Sequence, residues 1–404
     1  MNMALTSSDP RFLPLMTTLT GDGEGAPDLP SLVQGYADKL LSLGLPLDRA
    51  SVHIGTLHSE HIGSGFVWRR GQEVQETHYG FSTRQDRMYL ESPIRMVKES
   101  GQPLEIWPLA EGAEHYSILP ELRADGLAHY LAYPLFFSDG EINCATFATK
   151  SPDGFDTRDR ALLESLLPLY SRMLEIKSLR RTIEEILQIY VGRGPGTQIL
   201  NGNVKRGQVS RLSAAMLLAD LRHFSELSTR LPERKLVGVL NRFFDCFVPP
   251  IVEEGGEVLK FIGDAVLAIF PQPDGMAPVS SPRERAYQAA LQGLANLNTL
   301  NGGLTEEPAI LEASVALHLG RVAYGNVGSV ERLDFTVIGP DVNLVSRLAD
   351  LASTLDQPLL LSERFATGMN QPLRDLGPHR LKGFVQRERV FAPENPLALS
   401  LAEA

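Results

Sequence analysis

Cysteine is scarce in this 404-residue chain: Cys144 and Cys246 are the two, each within an apolar run and without a second thiol near it in sequence. That leaves no basis for a disulfide framework, and buried free thiols in a reducing, cytoplasmic setting are expected. Long apolar runs are lacking as well. No stretch approaches the roughly 20 apolar residues that a spanning helix needs, so no membrane partner is expected. The first residues lack the cationic start and unbroken apolar centre of a signal peptide, because Pro10 and Pro14 interrupt them and Gly, Asp and Pro follow at 21–30. Residues 1–27 read as a flexible tail. Excess positive charge is missing too. The formal net charge of −11 argues against a nucleic-acid binder that works by general phosphate attraction. It leaves room for a nucleotide substrate, since bound metals supply local positive charge.

What is present is an ordinary soluble composition, 43% apolar and 22% charged, in a chain long enough for two or three domains. Internal repeats are absent. Residues 28–157 mix helical and strand patterns. The clearest element there is the pair Leu131-Ala-Tyr-Pro-Leu-Phe-Phe and Glu141-Ile-Asn-Cys-Ala-Thr-Phe-Ala-Thr, whose Ser138-Asp139-Gly140 connection signals a hairpin. His53, His58, His61 and His78 are scattered over strands and loops and do not by themselves specify a metal or haem. Residues 158–205 read as a helical linker and joint. Leu162, Leu166, Leu169, Met173, Ile176, Ile183, Leu187 and Tyr190 recur by threes and fours, with Arg180 filling one slot. Two readings are open for this helix, a parallel two-chain coil and packing on its own domain. The run Tyr190-Val-Gly-Arg-Gly-Pro-Gly is rich in helix breakers.

Strand and helix patterns then alternate through 206–395, and 396–404 reads as a tail. Ser281-Pro-Arg-Glu284 has the form of a capping box with proline at the first helical position. Pro249-Pro250 interrupts an amphipathic helix at 233–253, which is expected to kink or restart before Ile251.

The chemistry concentrates in this C-terminal half. Asp220 and Asp264 lie 44 residues apart, each at the exposed end of an apolar run. A buried unpaired carboxylate is costly, and hard oxygen ligands suit Mg²⁺ or Mn²⁺. The strand ending at Asp220 and the turn bearing Asp264 are expected to meet at one rim of a sheet. Two metals there would activate a hydroxyl and neutralise a polyphosphate leaving group. The plain alternative is that Asp220 caps the next helix and Asp264 serves its turn. Asn343 and Arg347, four apart, share the polar face of a helix at 341–353. For Arg347 the plain alternative is a surface salt bridge with Asp350; for Lys260 it is a solvated strand position, and Thr336 alone reads only as a strand former.

Taken together, Leu218-Ala-Asp-Leu-Arg-His-Phe-Ser, Leu259-Lys-Phe-Ile-Gly-Asp-Ala-Val-Leu-Ala-Ile-Phe and Phe335-Thr-Val-Ile-Gly-Pro-Asp-Val-Asn-Leu-Val-Ser-Arg closely resemble the class III nucleotidyl cyclases over about 185–395. Residues 28–157 resemble, by pattern, a GAF sensory domain with a possible small-molecule ligand. The resemblance implies an α+β protein: a GAF-like antiparallel sheet with helices, a helical linker, and a ferredoxin-like cyclase domain. It implies an adenylate cyclase converting ATP to 3′,5′-cyclic AMP and pyrophosphate with two Mg²⁺ or Mn²⁺ ions per site. Asp220, Asp264 and the Leu221 carbonyl would be metal ligands. The backbone amides of Arg222, His223 and Phe224 would face phosphates, and Lys260 and Thr336 the adenine. Asn343 would orient the ribose, Arg347 would stabilise charge at the α-phosphate, and Lys382 would reach the terminal phosphates. Members that use GTP tend to carry an acid where Lys260 stands. Threonine at 336 resembles a bicarbonate-responsive branch. A homodimer through catalytic domains and linker helix is implied, since that family builds each site from two chains. The alternatives are a guanylate cyclase, a catalytically silent cyclase-like regulator, and a module whose main role is sensing at the N-terminal domain.

Overall fold

The computed structural model describes residues 9–21, 26–108, 116–272, 281–303 and 310–394. The chain divides between Ile186 and Leu187 into two compact units. Both mix helices with sheets, so the protein is α+β. Residues 396–404 and most of the Pro, Gly and Ser-rich loop at 271–281 lie outside the described residues.

The N-terminal unit begins with α1 (Phe12–Thr20) and α2 (Leu29–Ser42), followed by strands β1 (Arg49–Gly55), β2 (His61–Arg69) and β3 (Gln75–Gly80). Short helices α3 (Arg87–Leu90) and α4 (Pro93–Ser100), strand β4 (Leu104–Ile106), helix α5 (Leu119–Ala124) and strands β5 (His129–Phe136) and β6 (Ile142–Thr149) complete it. The six strands form one antiparallel sheet in the order β3-β2-β1-β6-β5-β4. The hairpin expected around 138–140 is the β5–β6 pair.

Residues 12–20 correct the expectation of a tail. Phe12, Leu15 and Leu19 are buried in the same core as Leu32, Val33 and Tyr36 of α2. Pro14 does not break α1 because it stands in the first turn, where its missing N–H has no intrahelical partner to lose. Leu15→Ala is therefore expected to destabilise this unit by about 2 kcal/mol, the low end for a core leucine because a leading helix can readjust. Tryptophan-monitored unfolding checks this; an unchanged midpoint would return α1 to the status of a tail.

Helix α6 (Thr157–Val191) is continuous, with Pro168 inside it. Its apolar positions divide between the two readings. Leu162, Leu166, Tyr170 and Leu174 enter the N-terminal core, whereas Ile176, Leu179 and Ile183 are more than half exposed.

The C-terminal unit continues with α7 (Arg193–Leu200), β7 (Val209–Leu221), α8 (Phe224–Arg230), α9 (Glu233–Glu253), β8 (Glu257–Ile262), β9 (Ala265–Pro271) and α10 (Pro282–Gly303). It ends with β10 (Ala313–Gly328), β11 (Leu333–Ile338), α11 (Pro340–Thr354), β12 (Leu359–Ser362), α12 (Glu363–Ala366), β13 (Leu373–Arg380) and β14 (Arg387–Pro393). The sheet order is β13-β14-β12-β10-β7-β9-β8, with β11 paired to β10. The β10–β12 pair is parallel and the others antiparallel, so the sheet is mixed.

Alternation along β7 organises both faces. Ala215, Leu217, Ala219 and Leu221 pack with Phe243 and Phe247 of α9 and Tyr287 and Leu294 of α10. Ala214, Met216 and Leu218 face the other way, onto Val345 and Leu348 of α11. Helix α10 starts with the expected capping box: the Glu284 carboxylate accepts from Ser281 N at 2.8 Å, and Ser281 Oγ accepts from Glu284 N at 3.2 Å. Of the kink or restart expected at Pro249-Pro250, the restart does not occur; α9 runs through both prolines. Pro250 has no N–H for the Cys246 carbonyl four residues back, and Asn296 Nδ2 from α10 donates to that carbonyl instead at 3.1 Å.

Candidate active site

Asp220 is the next position in the row Ala214, Met216, Leu218, placed where apolar packing ends on the α11 face. Its strand neighbour in β9 is Ala265, so Asp264 lies beside it on the same sheet rim. Leu221 N donates to the Asp264 carbonyl at 3.3 Å and fixes the turn against β7. Burial, then the neighbouring charges of Asp264 and Asp350, push the Asp220 carboxyl up to about 6. Burial also raises Asp264. Neither carboxylate forms an ion pair among the described residues, and α8 has no side-chain cap, which removes the capping role for Asp220. Two half-buried carboxylates that oppose each other's ionisation suit a divalent cation, and hard oxygen donors suit Mg²⁺ or Mn²⁺. Among the described residues no group of three or more His, Cys, Asp and Glu is arranged to hold a metal. The pair would therefore need ligands from backbone, water or substrate.

A cavity of about 920 Å³ opens on the α11 face of the sheet, within the upper part of the range that holds small ligands. Lys260, Asn343, Arg347 and Lys382 line it together with Ser346 and Phe384, and no Asp or Glu is among its lining residues. Each reaches it for a local reason. A bulge between Val258 and Lys260 shifts the β8 register, so Leu259 enters the core beneath α11 and Lys260 stays at the wall. Leu344, Val345 and Leu348 seat α11 on the sheet, which leaves Asn343, Ser346 and Arg347 on the opposite, cavity-facing turns. Ser346 was not expected there, although its spacing from Asn343 carries the signal. Lys382 lies in the turn after β13. Three cationic groups, of which Lys260 and Lys382 form no ion pair among the described residues, make this wall complementary to a polyphosphate.

Of the expected site residues, Thr336, Arg222, His223 and Phe224 are not among those that line the cavity, and neither are Asp220, Leu221 and Asp264. Arg347 does line the cavity, yet its Nη1 also pairs with Asp350 at 2.9 Å, which is the surface pairing that helical spacing allows. Thr336 is buried and its hydroxyl has no hydrogen-bond partner; it does not line the cavity, while its neighbours Val337 and Ile338 do. Arg222 is a correction. Its amide donates to the Glu312 carbonyl at 2.9 Å. Its side chain holds Ser314 Oγ at 2.8 Å, Asp356 at 2.6 Å and the Gln357 carbonyl at 2.8 Å. Arg222 is thus a clamp between the end of β7 and the end of α11, with no donor left for a phosphate at its amide. His223 has a left-handed backbone (φ 60°) just before α8. The amides of His223 and Phe224 have no partner among the described residues.

The breaker-rich joint explains itself through close approach to β8. Gly192 has φ +98°, and a Cβ there would stand 2.7 Å from the Val258 carbonyl, while a Cβ on Gly194 would collide with the Glu257 carboxylate. Gly192→Ala is expected to destabilise the C-terminal unit by about 1–3 kcal/mol, with the larger loss in the strand that carries Lys260. Hydrogen exchange of β8 amides measures this; unchanged protection would refute it.

Residues 209–364 match the family described as the adenylate and guanylate cyclase catalytic domain. An uncharacterized protein of Mycobacterium tuberculosis is 31% identical over 202 residues, covering 50% of this chain and 34% of that protein. An adenylate cyclase of Anabaena cylindrica is 29% identical over 170 residues, covering 42% and 33%. The chain thus spans about a third of the length of these curated relatives. Among solved structures, a bacterial light-regulated adenylyl cyclase is 25% identical with a TM-score of 0.41, covering 48% of this chain and 98% of that one. The guanylyl cyclase Cya2 is 27% identical with a TM-score of 0.38, covering 45% and 91%. No described helix is long and apolar enough to cross a membrane.

Proposed function

We propose that the C-terminal unit converts ATP to 3′,5′-cyclic AMP and pyrophosphate. The observation that carries this reading is the carboxylate-free, tri-cationic cavity of Lys260, Arg347 and Lys382 on the same sheet face as Asp220. In the reaction the ribose 3′-hydroxyl gives up its proton to solvent, its oxygen forms a bond to the α-phosphorus, the bond from that phosphorus to the β-bridging oxygen breaks, and pyrophosphate leaves. Asn343 orients the ribose. Arg347 leaves or shares its pairing with Asp350 and neutralises charge that grows at the α-phosphate. Lys382 holds the terminal phosphates, helped by the unpartnered amides of His223 and Phe224. Lys260 and the orphaned Thr336 hydroxyl read the adenine. Divalent ions held by Asp220, Asp264 and the Leu221 carbonyl would neutralise the polyphosphate and activate the 3′-hydroxyl when bound.

The site is shared between two copies in this proposal. Asp220 and Asp264 are not among the residues that line the cavity holding Asn343 and Arg347, so one copy would supply the carboxylate pair and its partner the cationic wall. Two further observations support a homodimer. Ile262 and Ile338 line the cavity and are nearly half exposed, beside exposed Phe261. Ile176, Leu179 and Ile183 of α6 form an uncovered stripe at spacings of three and four, suited to the same helix of a second copy. The N-terminal unit is proposed as a GAF-like sensor whose state biases the pairing of catalytic units through α6.

Product analysis tests the reading. The purified chain with Mn²⁺ and either ATP or GTP is expected to form cyclic AMP from ATP, and Asp264→Ala is expected to form none. Cyclic GMP from GTP alone would reassign the base. No product from either, in the full chain and in the 187–404 fragment alike, would make the unit a silent regulator.

A further inference from the structure

Strand β1 sends Ala50, Val52 and Ile54 into the apolar core of the N-terminal unit. Its alternate residues Arg49, Ser51 and His53 face the other side of the sheet and are nonetheless buried, Arg49 to 4% exposure. Register extends this polar row. Ser51 stands opposite Thr146, while Arg49 stands opposite Ala148, which in turn faces Tyr130 on β5. A buried row of this kind needs a hydrogen-bond account for each group.

Half of the row is self-contained. Ser51 Oγ meets Thr146 Oγ1 at 2.6 Å and His53 Nε2 at 2.9 Å, and His53 Nδ1 meets the Tyr79 hydroxyl at 3.1 Å. Glycine at 65, opposite His53, is what admits that hydroxyl, since a Cβ there would collide with it. Burial drives His53 down to about 3, so the ring is neutral and adds no charge.

The cationic half is not self-contained. Arg49 approaches an acid only through Nη2, 3.5 Å from Glu121, and Arg69 holds that half-exposed carboxylate more closely at 2.8 Å. Arg49 Nε and Nη1 are buried without a hydrogen-bond partner; the Tyr130 hydroxyl in the same row has no partner at full hydrogen-bond geometry, though Thr146 lies close enough to act on it. Lys98 of α4 lies over the same side, near enough for its charge to act on His53, and it forms no ion pair among the described residues. Burial lowers its hold on a proton. Arg69 also lies 3.6 Å from Asp125, so Arg49, Arg69 and Lys98 have Glu121 and Asp125 as their ion-pair acids among the described residues and about one positive charge remains in excess, in a place where a bare guanidinium is costly.

We propose that Arg49, Tyr130 and Lys98 form a binding site for a small carboxylate monoanion on the face of the N-terminal sheet that packs against α4 and α5. A planar carboxylate accepts from the guanidinium and from a tyrosine hydroxyl at once, and one negative charge matches the excess. The near-complete burial of Arg49, Tyr130, Ser51 and Thr146 limits the ligand to a few heavy atoms. The site is independent of the cyclase reading and assigns a chemical class to the ligand of the N-terminal unit.

Both tryptophans of the chain, Trp68 and Trp107, lie in this unit, so tryptophan fluorescence of the full chain follows its unfolding. Sodium acetate, exchanged for chloride at constant ionic strength, is expected to raise the unfolding midpoint saturably. Arg49→Met is expected to abolish that rise and, without acetate, to melt at or above the wild-type temperature, because the bare charge is gone. Tyr130→Phe is expected to move the acetate midpoint several-fold upward. The absence of any saturable rise in the wild type would overturn the proposal. So would Arg49→Met and Glu121→Gln melting equally low, which would make Arg49 a structural ion pair. Should Arg49→Met fail to fold, an unchanged acetate midpoint in Tyr130→Phe would decide against the site. A response to inorganic phosphate and none to acetate would refute the carboxylate assignment.

Discussion

Arg347→Ala is expected to lower the turnover of cyclic AMP formation by about 10²–10³-fold, the loss typical when a donor aimed at developing charge is removed. The fold should survive. Arg347 is partly exposed and its recorded partner is Asp350 one helical turn away, a pair of the kind that contributes about 0–1 kcal/mol. The Michaelis constant for ATP should change little, because Lys260 and Lys382 remain to hold the nucleotide and the arginine acts on charge that grows during attack. Arg347→Lys should not restore the rate, since an ammonium cannot reproduce the planar fork of donors. Steady-state kinetics alongside thermal melting separates the outcomes. A raised Michaelis constant with unchanged turnover would make Arg347 a ground-state anchor and remove it from the chemistry.

Asp220→Asn carries the second large effect, and it has opposite signs in activity and stability. Loss of one of the two carboxylates should reduce activity at least about 10³-fold by removing a metal ligand. Without metal, however, the same change should stabilise the fold at neutral pH. A carboxyl whose folded pKa is raised, here from 3.8 to about 6, contributes stability that is fully present below its unfolded value and is lost as pH rises through the folded one. At pH 7 the wild type carries that penalty and the asparagine variant does not. Melting curves in EDTA should thus show the variant higher than the wild type at pH 7, with the difference vanishing near pH 4. Mn²⁺ should raise the wild type and leave the variant unmoved. A variant that melts lower at pH 7 without metal would mean that Asp220 is a structural hydrogen-bonding group.

Much of the C-terminal unit was legible because its chemistry and its periodicity coincide. The row Ala214, Met216, Leu218 and then Asp220 reads directly as a strand whose apolar face runs out at a carboxylate, and the spacing of Asn343 and Arg347 places both on one face of α11. The missed features depend on contacts remote in sequence. Arg222 looks available until Glu312, Ser314, Asp356 and Gln357 are brought to it by folding. Pro249-Pro250 reads as a break until Asn296, from another helix, supplies the missing donor. Helix α1 was hidden by Pro14, whose effect depends on which turn it occupies. The apolar period of α6 was legible, but not that its first half is covered by the N-terminal core and its second half left open. In the N-terminal unit no motif announces the buried Arg49; only the register of β1 against its neighbours shows a charge without a partner.

A cyclase site completed by a second copy can be probed by mixing two inactive variants. Asp264→Ala lacks one carboxylate of the metal pair in both sites, and Arg347→Ala lacks the arginine of the cationic wall in both. Co-expressed in equal amounts, half of the dimers should pair the two variants, and each such dimer holds one intact site. Recovery of about a quarter of the wild-type rate of cyclic AMP formation is expected for a two-fold symmetric dimer with random pairing. Activity no higher than that of either variant alone, with mixed dimers shown to be present, would contradict it and place the whole site within a single chain.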